Sequence, residues 1–317
     1  MVVPAARRRA GLHRRRPAPR AEPRAQAGLG GAALSLALAA LLTLGALTDA
    51  PTSAPPPERL KPLPWSPVAD GVATGVLGAG WLLSETAFKS ALAPSACRWC
   101  ARNGLDDAVR AVFNPDPLAT GEGVRWADTA SNVTAFAALP LATLGVSTLL
   151  SWREDPDGPW LSRAATDALL VLEATFAALT LNQVVKFSVG RIRPFVTSLP
   201  DSARAGVRDP SDNFLSFYSG HSTWSFALAT AAGTVATLRW GKSAWVVWLC
   251  GLPLAAATAM LRLAADKHWF TDVLLGTASG AAFGAGLPLL FHRPAGAPAR
   301  VSLVPAPGGV GLLVRLD

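Results

Sequence analysis

Between Val68 and Phe291 the sequence carries six apolar stretches, each close to the roughly 20 residues that span a bilayer as a helix. They run over Val68–Phe88, Thr129–Trp152, Ala164–Lys186, Ser222–Arg239, Ser243–Leu261 and Phe270–Phe291. All six are rich in alanine and glycine, and small side chains let helices approach closely in a membrane or in a buried bundle. Only 16% of the residues are charged and the mean hydropathy is +0.31, whereas a soluble domain carries about a quarter charged residues. The pattern predicts an all-α fold: a six-helix membrane, or membrane-associated, bundle. Trp65, Trp152, Trp240 and Trp269 stand at segment ends, where an aromatic belt would anchor a bundle at the interface.

The net charge of +8 is unevenly placed. The first 26 residues hold eight arginines against one glutamate, and the remaining chain is close to neutral. A basic tail alone would suggest nucleic acid. Here the apolar run Gly28–Leu47 follows at once, and a basic segment before an apolar core is a secretory signal peptide or a retained anchor. Nucleic acid is therefore not the expected partner. Residues 1–50 form this tail and signal, 51–67 a Pro-rich linker, 68–292 the helical domain, and 293–317 a C-terminal tail. In that tail two short apolar runs flank Pro305-Ala306-Pro307-Gly308-Gly309 and predict a β-hairpin. Cys97 and Cys100 are too few for a structural zinc site, which wants four ligands. They are expected to form a disulfide if their loop faces an oxidising compartment.

Charged residues inside so apolar a chain are costly unless they face one another, water or an anion. Those between Lys186 and Asp272 fall at segment ends. Lys186 ends the third segment, Ser219-Gly220-His221 opens the fourth, Arg262 closes the fifth, and His268 to Asp272 opens the sixth. If successive helices alternate in direction, all of these arrive at one end of the bundle. Lys186, Arg193 and Arg262 suit a phosphate, arginine as a planar fork of donors and lysine as a point charge. Ser219 adds a hydroxyl, and Gly220 lets backbone N–H groups at a helix N-terminus approach an anion. Four residues apart, His268 and Asp272 would share one helix face. The carboxylate would then hold one ring N–H and leave the other nitrogen's lone pair for attack. His221 would supply the general acid. Asp70, Glu85, Asp167 and Glu173 also sit in apolar segments, and buried hydrogen bonding or a segment end is the expected role for each.

The joint pattern Lys-x6-Arg-Pro (Lys186 to Pro194), Ser-Gly-His (Ser219 to His221) and Arg-x5-His-x3-Asp (Arg262 to Asp272) resembles the signature of the type 2 phosphatidic acid phosphatase superfamily, which includes the vanadium haloperoxidases. Any one piece would be weak evidence; together they are specific. The resemblance implies that Lys186, Arg193, Ser219, Gly220 and Arg262 hold the phosphoryl group. It also implies that His268 is the phosphohistidine nucleophile, Asp272 its orienting acid and His221 the general acid. Two positions depart from the family pattern: Tyr218 replaces the usual Pro before Ser-Gly-His, and Leu261 the usual Ser before Arg262. Neither removes a charge or a nucleophile. Arg191 and Arg204 lie outside the expected clamp.

The expected activity is metal-independent hydrolysis of a phosphomonoester or pyrophosphate, most plausibly of a lipid such as phosphatidic acid or a polyprenyl diphosphate, with no cofactor. The motif region offers no ligand set for a catalytic divalent ion. An exported acid phosphatase or vanadium haloperoxidase of the same superfamily is the alternative. A membrane protein that merely binds phosphate would not need an oriented nucleophile. Membrane topology is drawn two ways. A cytoplasmic N-terminus followed by an anchor and six crossings places the motifs inside. The Arg239/Lys242 turn, preferring the cytoplasm, places them outside. The external, periplasmic face is the expected one.

Overall fold

The computed structural model describes residues 62–116, 123–294, 301–306 and 309–314. The basic tail, the apolar run Gly28–Leu47 and most of the Pro-rich linker lie outside these residues. The described domain is helical: α1 Ala69–Glu85, α2 Gly104–Phe113, α3 Arg125–Val133, α4 Leu139–Glu154, α5 Trp160–Val189, α6 Gly220–Trp240, α7 Trp245–Ala264 and α8 Phe270–Phe291. A π-helical turn, Thr134–Ala138, joins α3 to α4 without a break. Among the described residues, four helical stretches are long and apolar enough to cross a membrane: Arg125–Glu154, Trp160–Val189, Gly220–Ala264 and Phe270–Phe291. Beyond residue 300, β1 Val301–Ala306 pairs antiparallel with β2 Gly309–Val314, Val301 opposite Val314.

Helix ends follow local chemistry. Gly190, at φ 61°, closes α5 by donating its N–H to the Lys186 carbonyl (3.3 Å), a left-handed conformation that glycine adopts without penalty. The chain then runs extended through Arg193 because Pro194 disfavours helix in the residue before it. Gly241, at φ 56°, breaks the 45-residue stretch Gly220–Ala264 so that α7 packs back along α6.

Helix α6 is the centre of the bundle and packs on α4, α5, α7 and α8. Its buried positions are almost all alanine, serine, threonine or glycine. The consequence is clearest against α8, where Gly276, Gly280 and Gly284 recur every four residues. A Cβ on any of them would lie 2.6, 2.5 or 2.3 Å from the backbone oxygens of Ser219, Thr223 and Ala227 respectively. The two helices are in backbone contact, as small-residue stripes permit. Large side chains fill the space elsewhere: Leu139, Leu170, Leu228 and Val247 are fully buried. Outward-facing Leu141, Val184, Leu249 and Met260 are exposed, as on a surface that meets lipid.

Candidate active site

The helix ends brought together by this packing surround a cavity of about 280 Å³. Six of the eight residues singled out from the sequence line it: Lys186, Arg193, Gly220, His221, Arg262 and His268. Ser219 and Asp272 stand behind the wall. The hydroxyl of Ser219 is used to cap α6, accepting from Ser222 Oγ (3.0 Å) and the Ser222 N–H (3.4 Å). Gly220 is needed for close approach, because a Cβ there would come within 3.3 Å of the Lys186 ammonium nitrogen and 3.2 Å of Asn182 Oδ1.

His268 is oriented differently from the expectation. Its Nδ1–H donates to the Ser216 carbonyl (2.8 Å), which leaves the Nε2 lone pair facing the cavity, 3.4 Å from Arg193 Nη1. The direct bond to Asp272 is not formed: Nδ1 and Oδ2 are 3.8 Å apart. The reason is that α8 begins at Phe270 with Trp269 as its N-cap, so His268 precedes the helix and the one-turn spacing does not apply to it. Asp272 works one layer back. It accepts from Ser216 Oγ (2.5 Å), from the Trp269 N–H (2.9 Å) and from Arg191 Nη1 (2.5 Å). It thus fixes the segments on both sides of the imidazole rather than the imidazole itself.

Arg191, left outside the expected clamp, is the hub of that second layer. It is 1% exposed, bridges Asp272 and Asp106 (Nη2 to Oδ2, 2.6 Å), donates to Thr271 Oγ1 (2.8 Å) and lies over the Trp99 ring at 4.3 Å. Asp106 in turn accepts from the N–H and hydroxyl of Thr271 (both 2.9 Å). No spacing rule relates Asp106, 85 residues before Arg191, to this site.

Each cation of the clamp also has a carboxylate that sequence reasoning passed over. Lys186 meets Glu85 (3.0 Å), Arg262 meets Asp128 (2.6 Å), and Arg193 meets Asp212 (3.1 Å) while donating to the backbone oxygens of Asp212 and Lys267. Glu85 was expected to be a segment end; it ends α1 and also faces the cavity. Burial pushes the Asp212 carboxyl up, but Arg193 and Lys89 overcome this and hold it well below the usual carboxylate range. Burial, then Arg193 and Arg262, hold the His268 imidazole well below its ordinary value, so it is neutral near pH 7. The cavity wall itself carries Lys89, Lys186, Arg193 and Arg262 beside Glu85 and Asp212, with Asp128 and Asp209 behind it on Arg262 and Lys89.

His221, at the start of α6, places Nε2 2.7 Å from Asn132 Oδ1, which accepts its proton, with the Phe136 ring edge-on at 5.1 Å. The wall beyond is apolar. Trp81, Phe136, Leu179 and Trp224 line the cavity, and the Trp81 and Trp224 rings stack at 5.6 Å.

Among solved structures the chain is similar to a transmembrane PAP2-type phosphatidylglycerolphosphate phosphatase from Bacillus subtilis, with 19% identity and a TM-score of 0.40 over 70% of this chain and 93% of that one. No curated protein matches the chain. The PAP2 superfamily model matches residues 167–294, the segment that carries Lys186, Arg193, Ser219, Gly220, His221, Arg262, His268 and Asp272.

Proposed function

We propose that this protein is a membrane phosphatase that hydrolyses the phosphomonoester or pyrophosphate of a lipid through a phosphohistidine on His268. The observation that carries the reading is the Nε2 lone pair of His268, aimed by the Nδ1–H bond to the Ser216 carbonyl into a cavity that also contains Lys186, Arg193 and Arg262. In the first step Nε2 attacks phosphorus and the bond to the leaving oxygen breaks. His221, entering the step as imidazolium, gives a ring proton to that oxygen and is left neutral. In the second step His221 takes a proton from water, the water oxygen attacks the phosphorus, and the P–N bond breaks to free His268 and phosphate. The cations supply the positive potential that the transferring phosphoryl group requires.

The apolar wall favours a lipid over a water-soluble ester. Trp81, Phe136, Leu179 and Trp224 line the cavity beside the cations, and no serine, threonine or tyrosine is among its described lining residues. Phosphate release from purified protein in detergent, compared between a lipid phosphate, a lipid pyrophosphate and a sugar phosphate, tests this. Hydrolysis should persist in excess chelator and be inhibited by vanadate, which would mimic the in-line transition state on His268. Preference for the sugar phosphate would move the reading to an acid phosphatase. Activity lost in chelator and restored by Mg²⁺ would overturn the mechanism.

We place the site on the external face. Cys97 and Cys100 are joined in a disulfide, and their loop is pinned to the end of α5 through Arg98 and Trp99 N–H donors to the Gly190 carbonyl. A disulfide persists in an oxidising compartment, so it supports an external site more directly than the turn after α6. There Arg239 is buried against Asp167 in an ion pair, and its charge is matched within the bundle. Cysteines introduced between Phe195 and Tyr218, in a background lacking Cys97, Cys100 and Cys250, should react in intact cells with an impermeant reagent. Labelling only after lysis would put the site inside.

A further inference from the structure

At the end of the bundle opposite the active site three potential ligands converge from elements far apart in sequence. Asp70 lies in the first turn of α1, Glu173 near the middle of α5, and His292 caps the C-terminus of α8. One ligand atom from each lies within 4.8 Å of the others. We propose that Asp70, Glu173 and His292 form a binding site for a divalent metal ion of the zinc class, which ties α1 to α5 and α8. The proposal rests on nothing in the active-site reading.

Four observations point to a ligand rather than to a simple ion pair. His292 is buried, and its Nδ1 is 3.0 Å from the Pro64 carbonyl. A carbonyl can only accept, so Nδ1 carries a proton and Nε2 is the ring nitrogen turned toward Glu173. A backbone carbonyl on the far ring nitrogen is the usual outer support of a metal-bound histidine. Second, Nε2 is 3.4 Å from Glu173 Oε2. A charge-assisted hydrogen bond would be shorter, about 2.7–2.9 Å. Bonds of about 2.0–2.2 Å to a tetrahedral zinc ion would set two ligand atoms roughly 3.4 Å apart. Third, Glu173 Oε2 is buried and has no hydrogen-bond partner, although it lies inside the apolar stretch Trp160–Val189, where an unmatched carboxylate is costly. Fourth, Asp70 is already held in place, its Oδ2 accepting from the Ser66 N–H at 2.7 Å. Two carboxylates this close repel, and a divalent ion neutralises both.

One imidazole and two carboxylates suit a borderline ion such as Zn²⁺, and three protein ligands leave a fourth position for water. A single ion would cross-link the start of α1, whose other end carries Glu85 to Lys186, to the two helices beneath it. The ion is structural and stands apart from the cations that hold phosphate.

The test is Co²⁺ titration of the full chain in detergent after chelator stripping. The expected result is one bound ion per chain with visible ligand-field bands, displaced by Zn²⁺, and a higher thermal midpoint with Zn²⁺ than without. Glu173→Gln and His292→Ala should weaken binding by about 100-fold or more and abolish the thermal shift. His13→Ala should change neither. Asp70→Asn, at a partly exposed position, provides the test if the buried variants fail to fold, and should also weaken binding. Absence of a bound ion in the wild type at millimolar Co²⁺ would overturn the proposal and leave His292 as a hydrogen-bonded core residue. Undiminished binding in Asp70→Asn or in His292→Ala would overturn the assignment equally.

Discussion

Replacing Gly280 with alanine tests whether the packing of α8 on α6 sets the geometry of the reaction. A Cβ at this position would lie 2.5 Å from the Thr223 oxygen and 3.0 Å from the Ala227 nitrogen. An ordinary carbon-to-carbonyl-oxygen contact is no closer than about 3.3 Å, so the helices must part by roughly 0.8 Å. Neither contacting group is the end of a flexible side chain; both are backbone inside helix α6, and overpacking of this kind costs about 1–3 kcal/mol. Thr223 is two residues from His221, and α8 follows directly from His268. The displacement therefore falls between the nucleophile and the general acid. A misplacement near 1 Å can lower a rate by about 10²-fold, so Gly280→Ala should reduce kcat for lipid phosphate hydrolysis by about 10- to 100-fold. KM should change little, because Lys186 and Arg193 lie on other elements. Gly286→Ala is the matched control on the same helix: a Cβ there meets nothing within 4 Å, and alanine is the better helix former. A wild-type rate in Gly280→Ala, or an equal loss in Gly286→Ala, would refute the argument.

Further outcomes follow from the same geometry. His268→Ala should abolish turnover, whereas Asp272→Asn should slow the chemistry by less than the roughly 10⁴-fold of a serine-type triad, because Ser216 rather than Asp272 holds Nδ1; a loss as large in Asp272→Asn would restore the direct role. Arg193→Lys should lose about 2.7–4 kcal/mol of transition-state stabilisation, read as kcat/KM, since an ammonium cannot reproduce the fork. Arg191→Ala should destabilise the fold by about 3–5 kcal/mol by leaving Asp106 and Asp272 buried without their cation. Arg204→Ala, which removes a surface pair with the exposed Asp201, should cost about 0–1 kcal/mol; equal denaturation midpoints for the two would contradict the buried network. Because the His268 pKa is lowered, the imidazole stays neutral as pH falls through 6.5 and protonates only below it. The acid limb of kcat/KM assigned to His268 should accordingly lie below pH 6.5, and a limb above that value would mean the imidazole is not held by burial and the clamp cations.

The sequence by itself determined the helical class, the positions of the apolar segments and the identity of the groups that carry charge into them. Lys186, His221, Arg262 and His268 were legible because a charged or titratable group at the end of an apolar run needs a counterpart, and Arg193 because it completes the Lys-x6-Arg-Pro motif. What only the tertiary structure decided is who that counterpart is. Glu85, Asp128 and Asp212 reach the clamp from α1, α3 and a loop, and Asp106 reaches Arg191 from α2. No local spacing records such pairings, because Coulomb attraction acts through space after the chain has folded. Asp272 stands one layer back for a related reason: the four-residue rule holds only inside a helix, and the helix starts after His268. The glycines of α8 show the same division. The sequence showed an apolar segment rich in alanine and glycine, able to pack closely, but only the bundle placed Gly276, Gly280 and Gly284 on the backbone of α6, where the absence of three side chains lets two helices meet beside the cavity.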